Sequence, residues 1–176
     1  ETELLIKSVR VNTLSKLTFS DAIGFLGLIT DVFPGLSSED IRYEKLELAM
    51  KEVMTNKPYN LKFDEGQVRK MIQLKESLEQ RMGCMIIGPS GCGKTSLWRI
   101  LRDSLEKVGE KIKIYVMNPK SMPRDRLLGH MDMDTREWFD GVLTDAARKV
   151  VKEPLDVRSW IVCDGDVDPV WIESLN

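Results

Sequence analysis

Apolar residues recur at helical spacing through the first third of the chain and give way to alternation after residue 110. Phe25, Leu28, Ile29 and Val32 form one stripe, stopped at Pro34-Gly35, and Leu46, Ala49, Met50 and Val53 form another. Ser37 and Asp40 are the capping candidates for that second helix. The pattern breaks at 56–60, which contains Pro58, and this predicts a helical segment over 1–63 followed by a separate core over 64–176.

The core opens with a helix from about Asp64 to Gln80, carrying Val68, Met71, Ile72 and Leu78 on one face. Cys84, Met85, Ile86 and Ile87 read as a short buried strand, and Leu97, Ile100, Leu101, Leu105 and Val108 as a helix with Gly109 at its C-cap. Ile112, Ile114 and Val116 then alternate with Lys111, Lys113 and Tyr115 until Asn118-Pro119 ends the strand. Residues 120–141 are charged and read as an irregular insertion. Val142, Leu143, Ala146, Ala147 and Val150 make one more helical stripe, closed by Pro154, before a buried strand at Trp160 to Cys163. Alternating strands and helices predict an α/β domain with a parallel, doubly wound sheet.

Composition narrows the class. With 176 residues, 42% hydrophobic and 31% charged, the chain can build one good core. Its 26 basic and 28 acidic residues nearly cancel, which points away from nucleic acid and from anionic lipid. No apolar run reaches membrane-spanning length, so no membrane insertion is expected. Cys84, Cys92 and Cys163 form no C-x-x-C pair and read as free thiols of a reducing compartment, buried by default, with Cys92 alkylatable if its loop is exposed. The chain opens on Glu1 and stops at Asn176 with no closing element, which reads as a piece of something larger.

The chemistry concentrates in Gly88-Pro89-Ser90-Gly91-Cys92-Gly93-Lys94-Thr95-Ser96, which fits the phosphate-loop pattern G-x-x-x-x-G-K-[ST]. Glycines let the backbone turn its N–H groups toward a phosphate, the lysine reaches the β and γ phosphates, and the threonine hydroxyl ligates Mg²⁺. Asp164, at the end of an apolar strand, is placed to orient the same Mg²⁺, so ATP and Mg are the expected cofactors, with Thr95 and Asp164 at the metal. Gly165 follows Asp164 where hydrolytic members of this class often carry a glutamate; binding without efficient hydrolysis is the physical expectation, and no catalytic residue is assigned. The single histidine, His130, and the tryptophans Trp98, Trp138, Trp160 and Trp171 are read as structural. An independent P-loop kinase or NTPase, or an interaction module with a degenerate site, remain as alternatives from these residues.

Beyond the loop, further runs carry a resemblance: Met117-Asn118-Pro119-Lys120, Leu128-Gly129-His130-Met131-Asp132-Met133-Asp134-Thr135-Arg136-Glu137-Trp138, Asp140-Gly141-Val142-Leu143-Thr144, Cys163-Asp164-Gly165-Asp166-Val167-Asp168-Pro169 and Trp171-Ile172-Glu173-Ser174-Leu175-Asn176. From about residue 20 to 176 the chain resembles the second AAA+ module of a dynein heavy chain, and over Leu128 to Trp138 it is more similar to the cytoplasmic dynein 2 class than to cytoplasmic dynein 1 or axonemal forms. The resemblance implies a fragment of a six-module ring motor that walks toward microtubule minus ends, in retrograde intraflagellar transport. Hydrolysis would be concentrated at the first module and ATP held at the second. It implies neighbouring AAA+ modules, microtubules, accessory chains and intraflagellar transport particles as partners, and a cytoplasmic, cytoskeletal and ciliary setting. Residues 1–63 would join the preceding module's lid to this one, and the chain would stop before the sensor strand and helical lid.

Overall fold

The computed structural model describes residues 2–14, 16–34 and 43–173, so the capping candidates Ser37 and Asp40 lie outside the described residues. The chain divides into two compact units, 1–104 and 105–176.

The first unit contains α1 (Thr2–Leu14), α2 (Phe19–Val32), α3 (Glu44–Thr55), α4 (Glu65–Gln80) and most of α5 (Lys94–Val108). α3 buries Leu46, Ala49, Met50 and Met54, while α4 buries Val68 and Met71, so these two stripes do what their spacing predicts. Asp64 starts α4 by accepting the Gln67 N–H at 2.9 Å, a cap worth about 1 kcal/mol. Lys75 is also buried in α4; its ammonium reaches Glu79 at 2.5 Å and lies 4.5 Å over the Tyr43 ring, so the charge is not left uncompensated. The α2 stripe behaves differently. Ile29 is buried, but Leu28 and Val32 are 61% and 65% exposed, because a helix apolar on nearly every side presents more apolar surface than its packing among the described residues covers.

Two expectations fail just before α5. Residues 84–87 form no strand, and Met85 and Ile87 are 58% and 82% exposed, with Cys84 exposed as well. An apolar run becomes a strand only when a neighbour takes its N–H and C=O groups, and among the described residues none does. Burial of the Cys84 thiol fails for the same reason.

The second unit is built on β1 (Lys111–Met117) and β4 (Val157–Cys163), paired in parallel from Lys111 opposite Val157 to Met117 opposite Cys163. The crossover between them holds a 3₁₀ turn (Pro119–Ser121), α6 (Arg124–Leu128), β2 (Gly129–Met131), β3 (Trp138–Asp140) and α7 (Val142–Lys152), and α8 (Pro169–Glu173) follows β4. The segment 120–141 is therefore ordered rather than irregular. β2 and β3 pair antiparallel, and their turn is tied by Asp132 Oδ1, which accepts the Asp134 and Thr135 N–H groups at 2.8 and 3.1 Å. Met117, Leu127 and Ala146 form the buried centre, flanked by Tyr115, Leu143, Cys163 and Trp171. Because Met117 and Tyr115 share the covered face of β1, Val116 points to the opposite face and is 52% exposed.

Candidate functional site

The phosphate loop leads directly into α5, whose first turn closes with the Leu97 N–H on Gly93 O at 2.8 Å. Gly91 and Gly93 have φ of 80° and 89°, a backbone that side-chain-bearing residues seldom adopt. Lys94 folds back over the loop, its Nζ donating to Gly88 O and Pro89 O at 2.8 Å each and lying 3.9 Å from Cys92 Sγ. Both carbonyl partners are neutral, so the ammonium charge is left for an anion. A loop of this shape at the amino end of a 15-residue helix suits a phosphate group. Cys92 is exposed, which fits an alkylatable thiol, and Thr95 and Ser96 are half-buried at the start of α5.

One neighbour of the loop escapes the motif. A Cβ placed on Gly93 would lie 3.6 Å from Gln67 Nε2, so the first turn of α4 brings a carboxamide beside the loop. No spacing rule links these positions, and only the packing of α4 reveals the contact.

In the second unit, the Asp164 N–H donates to Met117 O at 2.9 Å and carries the β1–β4 ladder one residue beyond Cys163. Asp164 thus stands at the carboxyl edge of a parallel pair, the edge where α/β sheets place their ligands. Of the acids that follow, Asp166 pairs with Lys120 at 3.2 Å and its carbonyl accepts the Trp171 indole N–H at 3.2 Å, while the backbone carbonyl of Asp168 accepts the Ile172 N–H in α8. Among the described residues no three acidic, histidine or cysteine side chains cluster as a metal cage.

His130 stacks on Phe139 across the hairpin, with ring centroids 5.5 Å apart, which agrees with a structural role. Trp98 and Trp160 are buried as expected. Trp138 is not: it is 49% exposed, it lies on β3 of a two-stranded hairpin, and its indole N–H donates to Asp140 Oδ1 at 2.8 Å.

Residues 1–95 match the family described as the hydrolytic ATP binding site of dynein motor region, and residues 83–176 match the AAA domain of the dynein-related subfamily. The chain belongs to the dynein heavy chain family. Over 176 residues it is 56% identical to cytoplasmic dynein 2 heavy chain 1 of Tripneustes gratilla and 54% identical to that of Homo sapiens, covering 100% of this chain and 4% of each relative. The cytoplasmic dynein heavy chain of Dictyostelium discoideum is 36% identical over 180 residues, again with 100% of this chain and 4% of the relative. This dynein segment thus spans 4% of the length of the relatives it matches and comes from the ATP-binding motor region. Its architecture is that of an AAA-type α/β segment in which helices precede a small parallel sheet.

Proposed function

We propose that this segment carries the second AAA+ module of a cytoplasmic dynein 2 heavy chain and holds ATP there as a structural or regulatory ligand, turning it over poorly. The observation that carries the reading is a pairing of features. The phosphate loop is complete, with Lys94 resting on two neutral carbonyl oxygens at 2.8 Å and beside the Cys92 sulfur, whereas the residue after Asp164 is Gly165, which has no side chain to activate water. Gly88 to Ser96 would hold the phosphates, and Thr95 and Asp164 would serve Mg²⁺, which supplies charge neutralisation when bound. The two family matches overlap at 83–95, a run that includes Gly88 to Thr95 of the phosphate loop, which supports reading parts of two successive modules in this chain. Similarity to cytoplasmic dynein 2 chains supports a place in a minus-end-directed ciliary motor, with neighbouring modules, microtubules and intraflagellar transport particles as partners of the whole chain.

The test is nucleotide release from the dynein heavy chain on denaturation, with identification and counting by chromatography. One intact ATP should disappear in Lys94→Ala, while the nucleotides of other modules stay. An unchanged count in Lys94→Ala would overturn the reading.

A further inference from the structure

Gly165 does more than lack a carboxylate, because the space a side chain would occupy there is already filled. A Cβ on Gly165 would stand 2.5 Å from Asn118 Oδ1 and 3.0 Å from Asn118 Cγ, inside the distance at which atoms can coexist. The two residues meet because each lies one step beyond the last rung of the sheet, the Asp164 N–H on Met117 O at 2.9 Å. Asn118 is also held in place. Its Oδ1 accepts the Lys120 N–H at 3.2 Å and caps the Pro119–Ser121 turn, while its carbonyl accepts the Ser121 N–H at 3.1 Å and the Ser121 hydroxyl at 2.7 Å. A short side chain tethered at its outer atom can move aside only by giving up that cap.

We propose that Asn118 locks this site against hydrolysis: its capped carboxamide fills the space that the Cβ of any side chain following Asp164 needs, so restoring turnover takes two substitutions. The proposal rests on the reading that the site holds ATP. Asp166 does not bypass the lock, since its carboxylate is turned to Lys120. A glutamate at 165 would take a proton from water as the water oxygen bonds to the γ-phosphorus. The bond from that phosphorus to its bridging oxygen breaks, and ADP leaves with the electron pair. With Asn118 in place the glutamate cannot enter this position without breaking the turn.

The experiment compares Gly165→Glu, Asn118→Ala and the double variant in the full dynein heavy chain, following both the ATP released from this site over a single turnover and its total nucleotide occupancy. Gly165→Glu alone should not accelerate ATP loss, whereas the double variant should do so on the order of a hundredfold. The lock is overturned if Gly165→Glu alone matches the double variant, or if the fully occupied double variant is no faster than the parent. A second readout needs no nucleotide: amide exchange at Lys120 should quicken in Gly165→Ala and gain nothing further when Asn118→Ala is already present. Unchanged Lys120 exchange in Gly165→Ala overturns the lock. Absence of nucleotide from every variant, with the exchange pattern as expected, supports the lock and defeats the ATP-holding reading instead.

Discussion

Tyr59 donates a 2.6 Å hydrogen bond to Asp103 Oδ2 and so fastens the turn after α3 to α5, the helix that the phosphate loop opens. Burial first, and then the bond to the Asp103 carboxylate, push the tyrosine from its ordinary 10.0 up to about 12. The folded chain therefore keeps this proton at pH values where the unfolded chain has lost it. Its contribution is complete below pH 10.0 and is lost as pH rises through about 12. Tyr59→Phe should lower stability by about 1 kcal/mol at neutral pH, since Asp103 keeps its ion pair with Arg102. The same change should flatten the alkaline decline, which urea unfolding on either side of pH 10.0 would detect. An equal alkaline decline in Tyr59→Phe would remove Tyr59 as its source.

The joint between α6 and α7 depends on a single hydroxyl. Thr144 Oγ1 accepts the Gly141 N–H at 2.8 Å and donates to Leu128 O at 2.9 Å, which fixes where the hairpin leaves and re-enters the helical layer. Thr144→Val keeps the shape and strands both partners, so it should cost about 1–3 kcal/mol, with Thr144→Ser recovering most of the loss in thermal unfolding. Full stability in Thr144→Val would show that solvent satisfies these groups. Elements of this kind mark what periodicity can and cannot tell. The helices α3, α4 and α7 were legible because Met50, Met71 and Ala146 sit on stripes that face a core. The run 84–87 has the composition of a strand yet forms none, because strand formation is a property of a pair and the sequence of one partner does not supply the other. β2 and β3 are three residues each and their run is rich in charge, too short for alternation to register, so the turn built on Asp132 was visible only in its hydrogen bonds. The loop is readable from its motif and Asp164 from its place at a strand end, while Gln67 beside the loop in the first unit and Asn118 beside Gly165 in the second are brought in by contacts that no local pattern encodes.

At the scale of the molecule, large apolar side chains stand in solvent within each unit. In the first, Ile23, Leu28 and Val32 of α2 are 60%, 61% and 65% exposed, and Ile87 beside the loop is 82% exposed; in the second, Val116 and Val151 are 52% and 84% exposed. Soluble monomers seldom leave apolar surface of this extent uncovered, and a chain that spans 4% of the length of its relatives has ample further sequence in those relatives to cover it. The 176-residue chain by itself should therefore bind a hydrophobic dye and show a mass in sedimentation that rises with concentration. Within a heavy chain the same residues should be shielded, so amide exchange over 19–32 and 84–87 should be slower there than in the isolated chain. A dye-silent monomer with equal exchange in both settings would mean that these faces are solvated in the motor too, and that the apolar character of α2 serves something other than contact with the rest of the chain.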